Sequence, residues 1–134
     1  MVRKNRYIYY TVTMEGERKM ENEFKEEIEA VEALKEYNVK VVKALKEIIP
    51  ELKGEKKEDT DEYLKHIFKG INWEIQVING TMEYLNREKE VISKESTNNI
   101  IVKLNDAVNA KNDLLIGEIL ETELLPFLEN LNEI

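Results

Sequence analysis

Residues 61–92 read DEYLKHIFKGINWEIQVINGTMEYLNREKEVI, the longest regular amphipathic run in the chain. One apolar stripe, Leu64, Ile67, Ile71, Ile75, Ile78, Met82 and Leu85, advances in steps of three and four residues. A second stripe one face over keeps the same rhythm through Tyr63, His66, Gly70, Trp73, Val77, Gly80 and Tyr84. Opposite both lies a polar line: Lys65, Lys69, Asn72, Gln76, Asn79, Glu83 and Asn86. At about 100° per residue the two apolar stripes cover more than half of the helix circumference. An ordinary surface helix buries a narrower arc, so this helix is expected to run to Ile92, packed on two sides at the centre of a bundle.

Upstream, a first helix is expected to begin near Glu21. Its early turns are acidic (Glu21, Glu23, Glu26, Glu27) and its last turns basic (Lys40, Lys43, Lys46), the order that the helix dipole favours. Phe24, Ile28, Val31, Leu34, Tyr37, Val41, Leu45 and Ile48 give it one apolar stripe. Pro50 disfavours helical geometry at Ile49 and is expected to end or kink it there, with Gly54 in the linker as a C-cap. Asp59 or Thr60 should cap the second helix, Asp59 and Glu62 having capping-box spacing. Downstream, Ser96 or Thr97 should cap a short third helix with Ile100, Ile101, Leu104, Ala107 and Val108 inward. Asn112 or Asp113 should cap a fourth, carrying Leu115, Ile116, Ile119, Leu120, Leu124, Phe127, Leu128 and Leu131. Pro126 interrupts that run and predicts a kink after Thr122. The fold expected is an all-α antiparallel four-helix bundle, with a long central second helix and a shorter final hairpin.

Residues 1–19 stand apart from this pattern. Tyr7-Ile8-Tyr9-Tyr10-Thr11-Val12-Thr13 is the one β-like run, and a single strand needs a partner. Glu15-Gly16-Glu17 can be encoded by a stretch containing a ribosome-binding sequence, with Met20 at a suitable distance downstream. Residues 1–19 are therefore read as an N-terminal extension, either an added strand or translated upstream sequence, and residues 20–134 as the helical bundle domain.

Composition narrows the functional classes. The chain has 134 residues and a net charge of −8, which argues against nucleic acid and against an anionic membrane surface, because both need clustered Lys and Arg. With no cysteine, there is no disulfide, no thiolate nucleophile and no Cys-ligated metal. No run approaches the roughly 20 apolar residues of a membrane span, and a cytoplasmic location is expected.

Catalytic chemistry finds little footing. Di-iron centres in helical bundles need a Glu-x-x-His pair on each of two helices. This chain has one histidine, His66, and Tyr63 stands where the glutamate would be. Ser93 and Ser96 lie in a turn, where capping accounts for them, and no phosphate loop or nucleophile elbow occurs. No catalytic residue, metal site or cofactor is expected.

The second stripe of the central helix is the candidate site. Tyr63, His66, Gly70, Trp73, Val77, Gly80 and Tyr84 share one face, and each glycine costs a helix about 1 kcal/mol relative to alanine. Close approach of a second helix of the same protein would offset that cost, with the aromatics filling the space around it. An aromatic groove receiving a partner's helix or a small ligand would offset it equally.

The stretch Leu104-Asn105-Asp106-Ala107, followed by Asn112-Asp113-Leu114-Leu115-Ile116-Gly117-Glu118-Ile119-Leu120-Glu121-Thr122-Glu123-Leu124-Leu125-Pro126, resembles a pattern in small bacterial helical proteins of unknown function. In these a short helix precedes Asp, an apolar run and Leu-Glu-x-Glu-Leu-x-Pro. The resemblance implies a recurrent structural unit containing Glu121, Glu123 and Pro126, and no activity. The function expected is a non-enzymatic protein–protein interaction module, an adaptor or chaperone-like bundle that binds an as yet unknown protein partner. It is expected as a two-fold homodimer, because helices 3 and 4 are too short to cover both apolar faces of helix 2. The alternatives are a small-molecule binder or enzyme using the Trp73 face, and a purely structural oligomer subunit.

Overall fold

The computed structural model describes residues 23–134. These fold into α1 (Lys25–Leu52), α2 (Thr60–Leu85), α3 (Lys94–Asn109), α4 (Asp113–Ile119) and α5 (Leu125–Leu131). A π turn (Leu120–Leu124) joins α4 to α5 in one continuous C-terminal helix. The fold is all-α, with no strand among the described residues. The β-like run, both readings of residues 1–19 and the expected helix start near Glu21 lie outside the described residues.

In α1 the buried stripe is Val31, Leu34, Val41, Leu45, Ile48 and Leu52, with Asn38 fully buried among them and Tyr37 displaced to the edge. Pro50 does not end the helix at Ile49, which continues to Leu52. So near the C-terminus the proline removes only the N–H that would reach the Lys46 carbonyl, and Lys46 is exposed, where water can serve that carbonyl. Gly54, at φ 137°, then turns the chain so that the Glu55 N–H donates to the Pro50 carbonyl at 3.2 Å, the longer bond of a Schellman closure.

The expected capping box before α2 does not form: Asp59 makes no side-chain cap bond. Thr60 is fully buried instead. Its Oγ1 accepts from the Lys57 N–H at 2.8 Å and donates to Glu51 Oε1 at 2.7 Å, which fastens the linker to the end of α1. At its other end α2 stops at Leu85 rather than Ile92. Asn86 Oδ1 accepts from the Val91 and Ile92 N–H groups, and its Nδ2 donates to the Ile92 carbonyl. This folds the loop back and buries Ile92.

Ser93, not Ser96 or Thr97, caps α3, its Oγ accepting from the Ser96 N–H at 3.1 Å. Asn112 caps α4 in the same way through the Leu115 N–H. Between these helices Lys111 adopts φ 55°. The Asn112 N–H reaches the Ala107 carbonyl at 3.1 Å and the Lys111 N–H the Val108 carbonyl at 3.0 Å, a full Schellman motif with lysine at the position that glycine favours. The break expected after Thr122 is the π turn. There the Leu125 N–H reaches back to Leu120, a wider loop that makes room for the Pro126 ring.

Tyr63–Glu47 and Phe24–Tyr84 contacts show that α1 and α2 run antiparallel. Lys53–Glu121 and Asn38–Asn132 show the same for α1 and the C-terminal helix, as Lys103–Glu123 does for α3 and that helix. The elements flanked closely by two others are thus α1 and the C-terminal helix, not the α2 that the sequence placed at the centre; α2 and α3 meet through side chains across a cleft. One core fills the middle, with Leu34, Leu45, Ile48, Ile78, Leu120 and Leu128 fully buried.

Ile71 and Ile78 are buried, whereas Ile75 is only partly so. Truncating Ile71 or Ile78 to alanine should cost about 2–5 kcal/mol, Ile75→Ala less, and Asn72→Ala or Gln76→Ala within about 0.5 kcal/mol, measured by urea unfolding. By the same measurement Lys111→Gly should stabilise the protein by about 1 kcal/mol, since it relieves a left-handed lysine.

Candidate functional site: an aromatic groove between α1 and α2

The second stripe of α2 divides on folding. Gly70 is buried, Tyr63, Val77 and Tyr84 are half-buried, and His66, Trp73 and Gly80 are exposed. At Gly70 the expected close approach occurs, made by a side chain rather than a helix backbone. The Tyr37 ring of α1 lies over it, and a Cβ at this position would meet the ring carbons at 3.1 Å and the hydroxyl closer still. Tyr37 then meets Trp73 edge-on, ring centroids 5.4 Å apart, a favourable geometry for two aromatic quadrupoles. Gly80 departs from the first of the two expectations: apart from its chain neighbours and its own helix's backbone, no atom of the described residues lies within 4 Å of a Cβ placed there, so no close approach by a described residue accounts for this glycine.

Two adjoining depressions share Tyr37 and His66. One of about 450 Å³ is lined by Lys69, Gly70 and Trp73, and one of about 250 Å³ by Lys40, Ala44 and Tyr63. Together they form a shallow groove along the α1/α2 seam, rimmed by Lys40 and Lys69. At its far end the Tyr63 hydroxyl donates to Glu47 Oε1 at 2.7 Å. That bond, with partial burial, pushes the phenol up to about 12, so Tyr63 stays neutral. Tyr84 sits apart from the groove, packed on Phe24 at 5.3 Å and under the Arg87 guanidinium at 4.2 Å. The structure therefore joins Tyr63, His66, Gly70 and Trp73, and leaves Val77, Gly80 and Tyr84 outside. Tyr37, which completes the site, belonged by spacing to the core stripe of helix 1.

Glu74 escaped the sequence reading altogether. It follows Trp73, turns inward and is fully buried, as is Asn38 beside Tyr37. Asn38 Nδ2 donates to the Leu128 carbonyl at 2.6 Å and to Asn132 Oδ1 at 3.1 Å. Asn38 Oδ1 and both Glu74 oxygens have no partner among the described residues. Desolvation pushes the Glu74 carboxyl up to about 8, so it is protonated at neutral pH. Among the described residues no three His, Asp or Glu side chains gather as a metal site, and no helix is long and apolar enough to cross a membrane.

A family model, "Domain of unknown function (DUF8042)", matches residues 29–134, and the chain belongs to that family. The match spans all of α2 to α5 and most of α1, and so includes both walls of the groove. No curated protein and no solved structure matches the chain.

Two outcomes follow from this geometry. Gly80→Ala should stabilise the fold by about 0.5–1 kcal/mol, while Gly70→Ala should displace the partly exposed Tyr37 ring and change Trp73 fluorescence. Stability should fall as pH rises from about 4.5, the ordinary glutamate value, to about 8, because there the native state holds a proton that the unfolded state has lost. The Glu74 share of the slope is about 1.4 kcal/mol per pH unit and levels off above that range. Urea unfolding of Glu74→Gln beside wild type across pH 4–9 should show that share gone.

Proposed function

We propose that this chain is a non-enzymatic protein-interaction module whose α1/α2 groove receives a segment of a partner protein. The observation that carries this reading is the Tyr37–Trp73 pair. Both rings are more than a third exposed and are held edge-to-face at 5.4 Å. Aromatic side chains fixed in this way supply contact area at small entropic cost and are the residues that most often anchor interfaces. The groove is open and shallow, which suits an anchor residue projecting from a helix or extended segment better than an enclosed small molecule. Its Lys40 and Lys69 rim, on a chain of net charge −8, favours acidic residues flanking that anchor.

The reading extends to a homodimer in a bacterial cytoplasm. Support for self-association comes from Val102, Leu114 and Leu115 on α3 and α4, each more than a third exposed. Support for a reducing compartment comes from the lack of cysteine.

A photo-crosslinking residue at position 69, expressed in the native host, should trap a discrete partner. Trp73→Ala in the same background should reduce that adduct about fivefold or more, as loss of an anchor weakens binding by more than about 1 kcal/mol. An adduct indifferent to Trp73, or a small molecule retained through dialysis in the groove, would count against the proposal.

A further inference from the structure

A second concave region, on the other side of α2 from Trp73, has a different chemistry. Between α2 and α3 a pocket of about 140 Å³ is walled by Phe68, Ile71, Ile101, Leu104 and Val108, with Asn72 and Asn105 also lining it. Its volume is close to that of a ~150 Å³ apolar cavity known to admit benzene. Phe68 and Val108 also line a wider depression of about 450 Å³, so the two adjoin. The charged groups of that vestibule are Lys56, Asp61, Lys65, Lys111 and Asp113. Lys56 is committed, bonded at 3.0 Å to both Asp61 and Asp113, and its single charge offsets one of the two acids, so the three lysines exceed the two aspartates by one. The Lys65 and Lys111 side chains make no ion pair or hydrogen bond to any described residue, whereas the Lys111 backbone N–H is used in the turn.

The placement of these two lysines is the informative feature. Lys65 precedes Phe68 by three residues on α2, and Lys111 follows Val108 by three in the turn just beyond α3. Because α2 and α3 are consecutive and antiparallel, both lysines lie at the same end of the pocket, about one helical turn from its apolar wall. Lys111 also occupies a left-handed position, φ 55°, where glycine would be the more stable residue. A strained backbone carrying a cation at the mouth of an apolar pocket is the kind of local cost that binding sites retain.

We propose that this pocket binds a small amphipathic carboxylate, with a ring-sized apolar body between Phe68 and Leu104 and the carboxylate at Lys65 and Lys111. The pocket is too small for a second ring or a helix, and the vestibule carries one more cation than the paired acids neutralise. A spacer of two or three carbons between ring and carboxylate spans the helical turn that separates wall from lysines.

The probe is 3-phenylpropanoate, with 3-phenylpropan-1-ol as its uncharged counterpart, titrated into the full chain and followed by amide NMR and calorimetry. The carboxylate should bind saturably, with shifts centred on Phe68, Ile101, Leu104 and Val108. Its affinity should drop about tenfold in Lys65→Ala/Lys111→Gly, two partly screened charge contacts being lost, while the alcohol binds both proteins alike. Val108→Trp, at the mouth, should abolish binding of either compound. Because Lys111→Gly relieves backbone strain, the double variant should melt no lower than wild type, which separates lost recognition from lost folding. Absence of saturable binding at millimolar concentration, equal affinity in the double variant, or shifts centred on Trp73 would each overturn the proposal.

Discussion

The hydrogen bond from Asn38 Nδ2 to the Leu128 carbonyl, 2.6 Å long and fully buried on the Asn38 side, decides how the two halves of the molecule meet. Leu128 lies in the last turn of α5, where carbonyls have no intrahelical donor, so a side chain from α1 completes the end of a helix some ninety residues away in sequence. Lys53 and Glu121 pin the opposite end of the same interface. With the C-terminal helix held in register at both ends, α3 follows through the short connection at Ala110, Lys111 and Asn112, and the cleft between α2 and α3 takes its width from that arrangement. Apolar area drives the association, but it does not specify height along the helix axis. The buried amide does.

The same level of the bundle holds Glu74, and here the molecule tolerates a cost. A buried carboxyl with no partner among the described residues stays neutral by keeping its proton. Replacing such a group by a hydrocarbon of similar volume is often neutral or favourable in other proteins. Its presence directly behind the exposed Trp73 links the groove surface to a titrating interior.

The helices were legible in sequence because their apolar spacing is strong and because Asn112, Gly54 and Pro126 each act through local backbone geometry. What escaped was chemistry that opposes the pattern. Thr60, Glu74 and Thr81 occupy core positions of α2, yet a reading that sorts residues by polarity cannot put them there. Tyr37 has the spacing of a core residue but a hydroxyl that seeks the surface, and only the absence of a Cβ at Gly70 shows where its ring goes. Gly80 carries the same letter and the same stripe as Gly70, but its environment differs wholly. The end of α2 at Leu85 turned on one asparagine, Asn86, whose side chain competes for loop amides that a longer helix would have used.

The π turn has a consequence for rotational phase. Ile116, Leu120, Leu124 and Leu128 all reach the core, although each step between them is four residues. On an unbroken α-helix, twelve residues at about 100° each carry the last of these roughly 120° away from the first, off the buried side. The wider turn absorbs one residue's worth of rotation and returns Leu128 and Leu131 to the line begun by Ile116. A sequence one residue shorter between Leu120 and Leu124 could form a plain α-helix with the same residues inward, so this segment is where a single-residue change in length would leave the packing of both flanking segments in step.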